Sequence, residues 1–139
     1  LELYINDQLA AVYDADGIII ATPTGSTAYS MAAGGPVISP EVEAISITPI
    51  CSHSLSAKPI VIPADKHLKI KSANRNEWEI LVSLDGQETC RLLAGEAIEV
   101  KRSPLTMPLV TVGVDAENFY QLLKKKLHWA INPRQTNKA

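Results

Sequence analysis

The chain has 139 residues, 46% of them hydrophobic, with 13 basic against 15 acidic side chains and a formal net charge of −2. That length and apolar share suffice for one domain with a real core and exclude a disordered chain. The near-balanced charge excludes the electrostatic footprint of a nucleic-acid or anionic-membrane binder, and no apolar run approaches the roughly 20 residues of a bilayer span; with no basic leader at its start, a cytoplasmic protein is expected.

In chain order, "LELYI" and "QLAAVY" flank Asn6-Asp7 and predict a hairpin, because Asn and Asp tolerate the positive φ of tight two-residue turns. "GIIIAT" follows, apolar without alternation, which predicts a strand covered on both faces, either centrally or at an interface. Next, "GSTAYSMAAGG" predicts a short helix over about 26–34, with Ser26 or Thr27 as N-cap and Gly34-Gly35-Pro36 as the stop. "AISITPI", "PIVIP", "HLKIKS", "EILVSL", "AIEVKR" and "LVTVGV" then arrive every ten residues or so, the spacing of a sandwich or barrel rather than of βαβ units. The fold class expected is therefore mainly β, a multi-stranded sandwich-like domain. Within it, "HLKIKS" and "AIEVKR" alternate apolar with charged residues, one face toward a core and one toward water. Last comes "DAENFYQLLKKKLHW", expected to form a helix over about 115–128, capped by Asp115 and docked on the sheet through Phe119, Leu122, Leu123 and Leu127. The tail at 132–139 has no apolar anchor and is expected to be flexible.

Cys51 and Cys90 lack any CxxC spacing, so reduced thiols buried as small hydrophobes are expected. His53, His67 and His128 show no metal-ligand spacing, and no metal is expected on this chain.

The stretch "ATPTGSTAYSMAAGGP", residues 21–36, holds three Thr, two Ser and three Gly but no Lys or Arg. A P-loop requires the Lys that reaches the β/γ-phosphates, and Gly25-Ser26-Thr27 has none. A serine nucleophile at Ser26 fits no better, since G-x-S-x-G is unmatched. Two readings remain open: a hydroxyl-capped helix between strands, or a neutral polar pocket at a strand end. In the second, Thr24, Thr27 and helix-start N–H groups would read a nucleoside, Gly25 and the alanines would admit a flat ring, and Tyr29 would offer a stacking face.

"DGIIIATPTGSTAYSMAAGGP", then "ITPICSHSLSAKPIVIP", then "LDGQ" resembles, in order and spacing, the C-terminal domain of the NAD kinase family. The resemblance runs from about Asp16 to the helix ending "KKLHW". It implies transfer of the γ-phosphoryl of ATP, or of polyphosphate, to the 2′-hydroxyl of the adenosine ribose of NAD to give NADP, with Mg²⁺ in the complete enzyme. It also implies an NAD-binding and oligomerising domain over 1–131, in a homodimer or homotetramer. Carried over by position, Thr27, Ala28 and Tyr29 line the adenosine pocket, Ser30, Met31 and Ala32 continue it, and Asp16 and Gln87 contact NAD. Cys51 and His53 lie toward the nicotinamide. Without the resemblance, Asp16-Gly17 and Asp85-Gly86 read as ordinary tight turns and Gln87 as a surface residue.

Three positions depart from the family's pattern: Asp14 stands where a basic residue is common, Ser52 where proline is, and Lys58 where Arg is. The family's GGDG motif and Asn-Glu/Asp motif, which belong to an N-terminal α/β domain, occur nowhere in the sequence. No catalytic residue is therefore expected on this chain, and without a phosphate cradle it is expected not to turn over alone. A chain that starts inside a strand-like run is expected to be part of a longer kinase. A stand-alone dinucleotide sensor and a purely structural assembly domain are the alternatives.

Overall fold

The computed structural model describes residues 1–72, 80–93, 95–108 and 118–129. The chain divides into two compact units, Leu1–Pro104 and Leu105–Ala139. The first unit contains nine described strands: β1 (Glu2–Ile5), β2 (Gln8–Val12), β3 (Gly17–Ala21), β4 (Ala44–Ile50), β5 (Ile60–Pro63), β6 (Leu68–Lys71), β7 (Ile80–Leu84), β8 (Glu88–Leu92) and β9 (Ala97–Val100). They form a four-stranded sheet in the order β2-β1-β6-β9, a three-stranded sheet β3-β4-β5 and a two-stranded sheet β7-β8. All paired neighbours are antiparallel. The fold is mainly β, as the run of short, regularly spaced apolar segments requires. "LVTVGV", Asp115 and the tail 132–139 lie outside the described residues.

The hairpin turn at Asn6-Asp7 forms because both residues hold positive φ, 48° and 63°, the geometry that matches strand twist in a two-residue turn. Asn6 also locks this turn to the next strand connection. Its N–H donates to the His67 carbonyl at 2.8 Å, while its Oδ1 accepts the His67 N–H at 3.0 Å. The β7–β8 turn repeats the chemistry with Asp85 at φ 50° and Gly86 at φ 70°.

The core lies between the larger two sheets. Leu3 of β1 and Leu68 and Ile70 of β6 meet Ile45 and Ile47 of β4, with Tyr13 closing one end. Alternation along β6 places Leu68 and Ile70 inward and Lys69 and Lys71 outward, as period-two patterning requires.

The strand covered on both faces is β4, not β3. Residues Ala44–Pro49 are all buried, whereas the isoleucines of β3 are half-buried. Order explains the difference: β3 is an edge of its sheet, and β4 is its centre. Two of the buried β4 side chains, Ser46 and Thr48, are polar, so the strand reads as alternating in sequence although it is sealed on each side.

The predicted short helix is in fact two pieces. A 3₁₀ turn covers Thr24–Thr27, and α1 covers Tyr29–Ala32, broken at Ala28 by a non-helical ψ of −130°. Neither Ser26 nor Thr27 caps it. The hydroxyl that takes a free N–H at its start belongs to Thr22, whose Oγ1 accepts from Gly25 at 3.2 Å, and Thr27 Oγ1 instead donates back to the Thr24 carbonyl at 3.2 Å. Gly34 then ends the helix with φ 85°, a conformation glycine adopts at no steric cost.

In the second unit, α2 spans Phe119–Leu127; the expected start at 115 lies outside the described residues. Its cap is Asn118: the side chain accepts from the Gln121 N–H while the Gln121 side chain accepts from the Asn118 N–H. This reciprocal pair satisfies two of the donors a helix start leaves open. Lys124, Lys125 and Lys126 occupy the last turn, the favourable end for positive charge.

Surface ion pairs link β9 and its exit to neighbouring elements, among them His67 Nε2 to Glu99 Oε2 at 3.4 Å. Lys69 Nζ lies 3.2 Å from Glu99 Oε1 across the β6–β9 register, and Arg102 donates to Glu43 Oε1 at 2.7 Å, joining the β9 exit to the entry of β4. Hydrogen bonds from Lys69 and from Arg102, followed by their charges, hold the Glu99 and Glu43 carboxyls below the usual 4.5. Depressed carboxyl values contribute stability that is present above the unfolded value and lost as pH falls through the folded one. The melting temperature should therefore be unaffected by these groups from neutral pH down to about 5 and fall below 4.5. In Glu43→Gln/Glu99→Gln the fall below 4.5 should be measurably shallower in thermal melts across pH 3–7; both groups are exposed, so the difference is small.

Candidate functional site

The segment from Thr22 to Ile38 lies over the face of β4 opposite the core; the Ser30–Thr48 hydroxyl pair attaches it there, and other buried hydroxyls hold the segment's own fold and its approach from β3. Ser26, with no solvent exposure, donates through Oγ to the Pro23 carbonyl at 2.6 Å and accepts the Ile38 N–H at 3.0 Å. Ser30 Oγ and Thr48 Oγ1 are 3.1 Å apart, both side chains fully enclosed. Ser46 Oγ donates to the Ala21 carbonyl at 3.4 Å. Each hydroxyl removed from water thus keeps a partner, without which burial would cost on the order of 1–3 kcal/mol.

Gly35 lets the chain come this close. A Cβ at Gly35 would collide with the hydroxyls of Ser30 and Thr48 and sit 2.8 Å from the Ser30 carbonyl oxygen. Its own N–H donates to that carbonyl at 2.8 Å. A single glycine therefore sets the distance between the segment and the sheet.

With Ser26, Ser30 and Ile38 buried, the side chains between Thr24 and Ala32 other than the two serines are partly or fully exposed. Ala28 and Ala32 are exposed, Tyr29 is 63% exposed, Thr24 is exposed, and Thr27 and Met31 are partly so. The side chain of Ser30, which the family pattern sends toward the dinucleotide, is turned onto β4.

The far end of the segment borders an open cleft of about 340 Å³, lined by Ala33 and Gly34 on one side and by the loop from Pro49 to Pro59 on the other. Cys51, Ser52, Ser54 and Lys58 are its polar lining. Contrary to the usual burial of cysteine, both Cys51 and Cys90 are exposed thiols. Cys51 sits at the end of β4 with φ 46°, a left-handed conformation uncommon for a residue with a Cβ. That turn sends the loop back toward the entry of β3. The His53 N–H donates to the Asp14 carbonyl at 2.9 Å, Ser52 Oγ donates to the same oxygen at 3.3 Å, and His53 Nδ1 stands 3.5 Å from Asp14 Oδ2. The Asp16 N–H donates to the Ile50 carbonyl at 3.0 Å, so the exposed Asp16 begins β3 beside the same loop.

Asp16, Cys51 and His53 thus lie where β3 begins and β4 ends, and the segment, which leaves the opposite end of β3, reaches the same loop at Ala33 and Gly34. Gln87 is elsewhere, exposed on the β7–β8 turn with its N–H donating to the Leu84 carbonyl at 3.0 Å. Sequence patterning missed three residues. Thr48 and Gly35 join the segment to the sheet, and Lys58 supplies a cation to the cleft although it lies more than twenty residues beyond the segment. The legible signal for Lys58 was its isolation: it is the one charged residue in "SLSAKPIVIP". Among the described residues, no group of three or more His, Cys, Asp or Glu is placed to hold a metal ion, and no helix is long and apolar enough to cross a membrane.

A mainly β domain with a hydroxyl-seated, glycine-tight segment after a strand belongs to neither the P-loop nor the Rossmann class. Residues 1–112 match the ATP-NAD kinase C-terminal domain, and the chain belongs to that family. It is 42% identical over 138 residues to the ATP-NADH kinase YEF1 of Saccharomyces cerevisiae, covering 99% of this chain and 27% of that protein. It is 45% identical over 127 residues to the NAD kinase of Symbiobacterium thermophilum, covering 91% of this chain and 44% of that one. In structure it is similar to a yeast NADH kinase crystallised with NADH, at a TM-score of 0.80 and 31% identity over 94% of this chain and 40% of that one. An Archaeoglobus fulgidus NAD kinase in complex with ATP matches at a TM-score of 0.66 and 27% identity, over 74% of this chain and 39% of that one. The chain spans less than half the length of each of these relatives.

The two glycines ending the segment should differ in their tolerance of a methyl group. Gly34→Ala meets open space and bears only the cost of its φ of 85°, about 1 kcal/mol. Gly35→Ala must push two hydroxyls and a backbone carbonyl aside and should cost about 2–3 kcal/mol. Urea denaturation midpoints should fall for both variants, and further for Gly35→Ala.

Proposed function

We propose that this chain is the NAD-binding part of an NAD kinase that transfers a phosphoryl group from ATP, or from polyphosphate, to the adenosine-ribose 2′-hydroxyl of NAD. The observation that carries the reading is the seating of the 24–35 segment. Buried Ser30 holds it to Thr48 of β4 and buried Ser26 ties it to Ile38, which leaves Thr24, Thr27, Ala28, Tyr29, Met31 and Ala32 partly or fully exposed. Small side chains let a flat adenine approach, and Tyr29 supplies a ring to stack on it. Asp16, Cys51 and His53 then receive the nicotinamide half, and Gln87 reaches the dinucleotide from the β7–β8 turn.

The chemistry itself belongs to the family's N-terminal domain, with its GGDG and Asn-Glu/Asp motifs. Phosphoryl transfer rests on positioning and on stabilising charge at the transferred group. The role of this chain in this reading is to hold the acceptor nucleoside. In this reading the assembled enzyme is a cytoplasmic homodimer or homotetramer.

Binding by this chain alone should be weak, on the order of 1 mM, because contacts from another domain are lost while the ordering cost stays. Isothermal titration with NAD and NADP, paired with a coupled assay for NADP formation, should therefore give weak heats and no turnover. In the complete kinase, Tyr29→Ala should raise the KM for NAD roughly three- to tenfold through the lost stacking and leave kcat nearly unchanged. An unchanged KM would remove Tyr29 from the adenosine pocket, and turnover by the chain alone would contradict the division of labour.

A further inference from the structure

The 24–35 segment has no cation, yet a dinucleotide carries phosphates that need one or a dense set of donors. The cleft at the end of that segment contains one. Lys58 lines it, exposed, and among the described residues no carboxylate lies within ion-pair distance of its ammonium group. Its backbone is fixed: the Lys58 N–H donates to the Ser56 carbonyl at 2.9 Å, and the Ala57 N–H donates to the Ser54 carbonyl at 3.2 Å.

The hydroxyls around Lys58 are not equivalent. Ser52 spends its proton on the Asp14 carbonyl and also accepts the Ser54 N–H at 3.3 Å. Ser54 and Ser56 face each other through their hydroxyl oxygens at 2.8 Å. Two hydroxyls joined by one hydrogen bond use one proton between them, so the pair retains a second proton to donate outward. No Asp or Glu lines the cleft. The carboxylate attached to this loop, Asp14, lies 3.5 Å from His53 Nδ1. The polar lining is therefore the Lys58 ammonium, the Cys51 thiol and the hydroxyls of Ser52 and Ser54, with Ser56 behind Ser54, beside apolar walls from Ala33, Pro49, Leu55 and Pro59.

We propose that Lys58, with the Ser54–Ser56 hydroxyl pair, forms a phosphate subsite in this cleft, taking a phosphate group of a ligand whose nucleoside lies along the 24–35 segment. This rests on the dinucleotide reading for the choice of ligand, and it makes Lys58 the cation that the segment lacks. An ammonium is a point charge and not a bidentate fork, so the subsite selects for negative charge more than for shape. Lys58→Arg should retain it, and Lys58→Gln should lose it.

The test is a set of titrations of the full chain, followed by phosphorus NMR for inorganic pyrophosphate, NAD and NADP and by proton NMR for adenosine. Wild-type chain should bind pyrophosphate and NADP with an affinity that falls as salt is added. Lys58→Gln should weaken both roughly five- to tenfold, leave adenosine unchanged, and be restored to near wild type in Lys58→Arg. Loss for pyrophosphate alone, with NAD and NADP unaffected, would support the subsite with free phosphate chains as its ligand and count against the dinucleotide reading. Equal affinities for wild type and Lys58→Gln toward every phosphate ligand would overturn the subsite, and an equal loss for adenosine would do the same by showing a general disturbance of the cleft. If NAD still bound in either of those cases, the dinucleotide reading would stand without Lys58.

Discussion

Close approach of a peptide segment to the outer face of β4 is the constraint on which the rest of this structure depends. It requires three things together: a small polar side chain on the strand, a matching hydroxyl on the segment, and a glycine where the backbones come nearest. Thr48 supplies the first, Ser30 the second, and Gly35 the third. Removing one partner leaves another buried group unsatisfied, so these residues are coupled rather than independent. The cost of burying hydroxyls on β4 is offset on its other face, where Ile45 and Ile47 join the apolar core.

That arrangement accounts for how a short, irregular segment could carry the binding function proposed for it. A four-residue α-helix has little stability of its own. Here its backbone is fixed by the sheet below it, so the side chains pointing away are held in place without being packed. Alanines and Tyr29 on the outer side then present a surface that favours a planar, uncharged ring. Charge is supplied from another part of the sequence, because the loop after β4 doubles back at Cys51 and brings Lys58 to the end of the same segment. In the proposed reading, separating the neutral part of the site from its cation would let one scaffold bind a nucleoside closely and still admit a phosphate.

Much of the fold was legible in the sequence because its signals are local. Asn6-Asp7 announces a hairpin through its tolerance of positive φ, and the short apolar runs announce strands through alternation and spacing. What was not legible depends on neighbours. "GIIIA" reads as a buried central strand but lies at a sheet edge, while "AISITPI" looks half-polar although it is sealed on both faces, since its Ser and Thr find partners across 18 and 25 residues. Capping was misread for a similar reason: Ser26 and Thr27 had the right chemistry for a helix start, yet one is committed to the Ile38 N–H and the other to a carbonyl behind it. The segment itself was identifiable from its residues, but its cation was not, because nothing local connects Lys58 to Gly34.

The most direct test of the site is amide chemical-shift mapping of the isotopically labelled chain titrated with NAD. Shifts concentrated in residues 24–35 and 51–58, with the Asn6-Asp7 turn silent, are predicted if the segment and the cleft form one dinucleotide site. Shifts confined to other strands, or none at ligand concentrations of several millimolar, would contradict it.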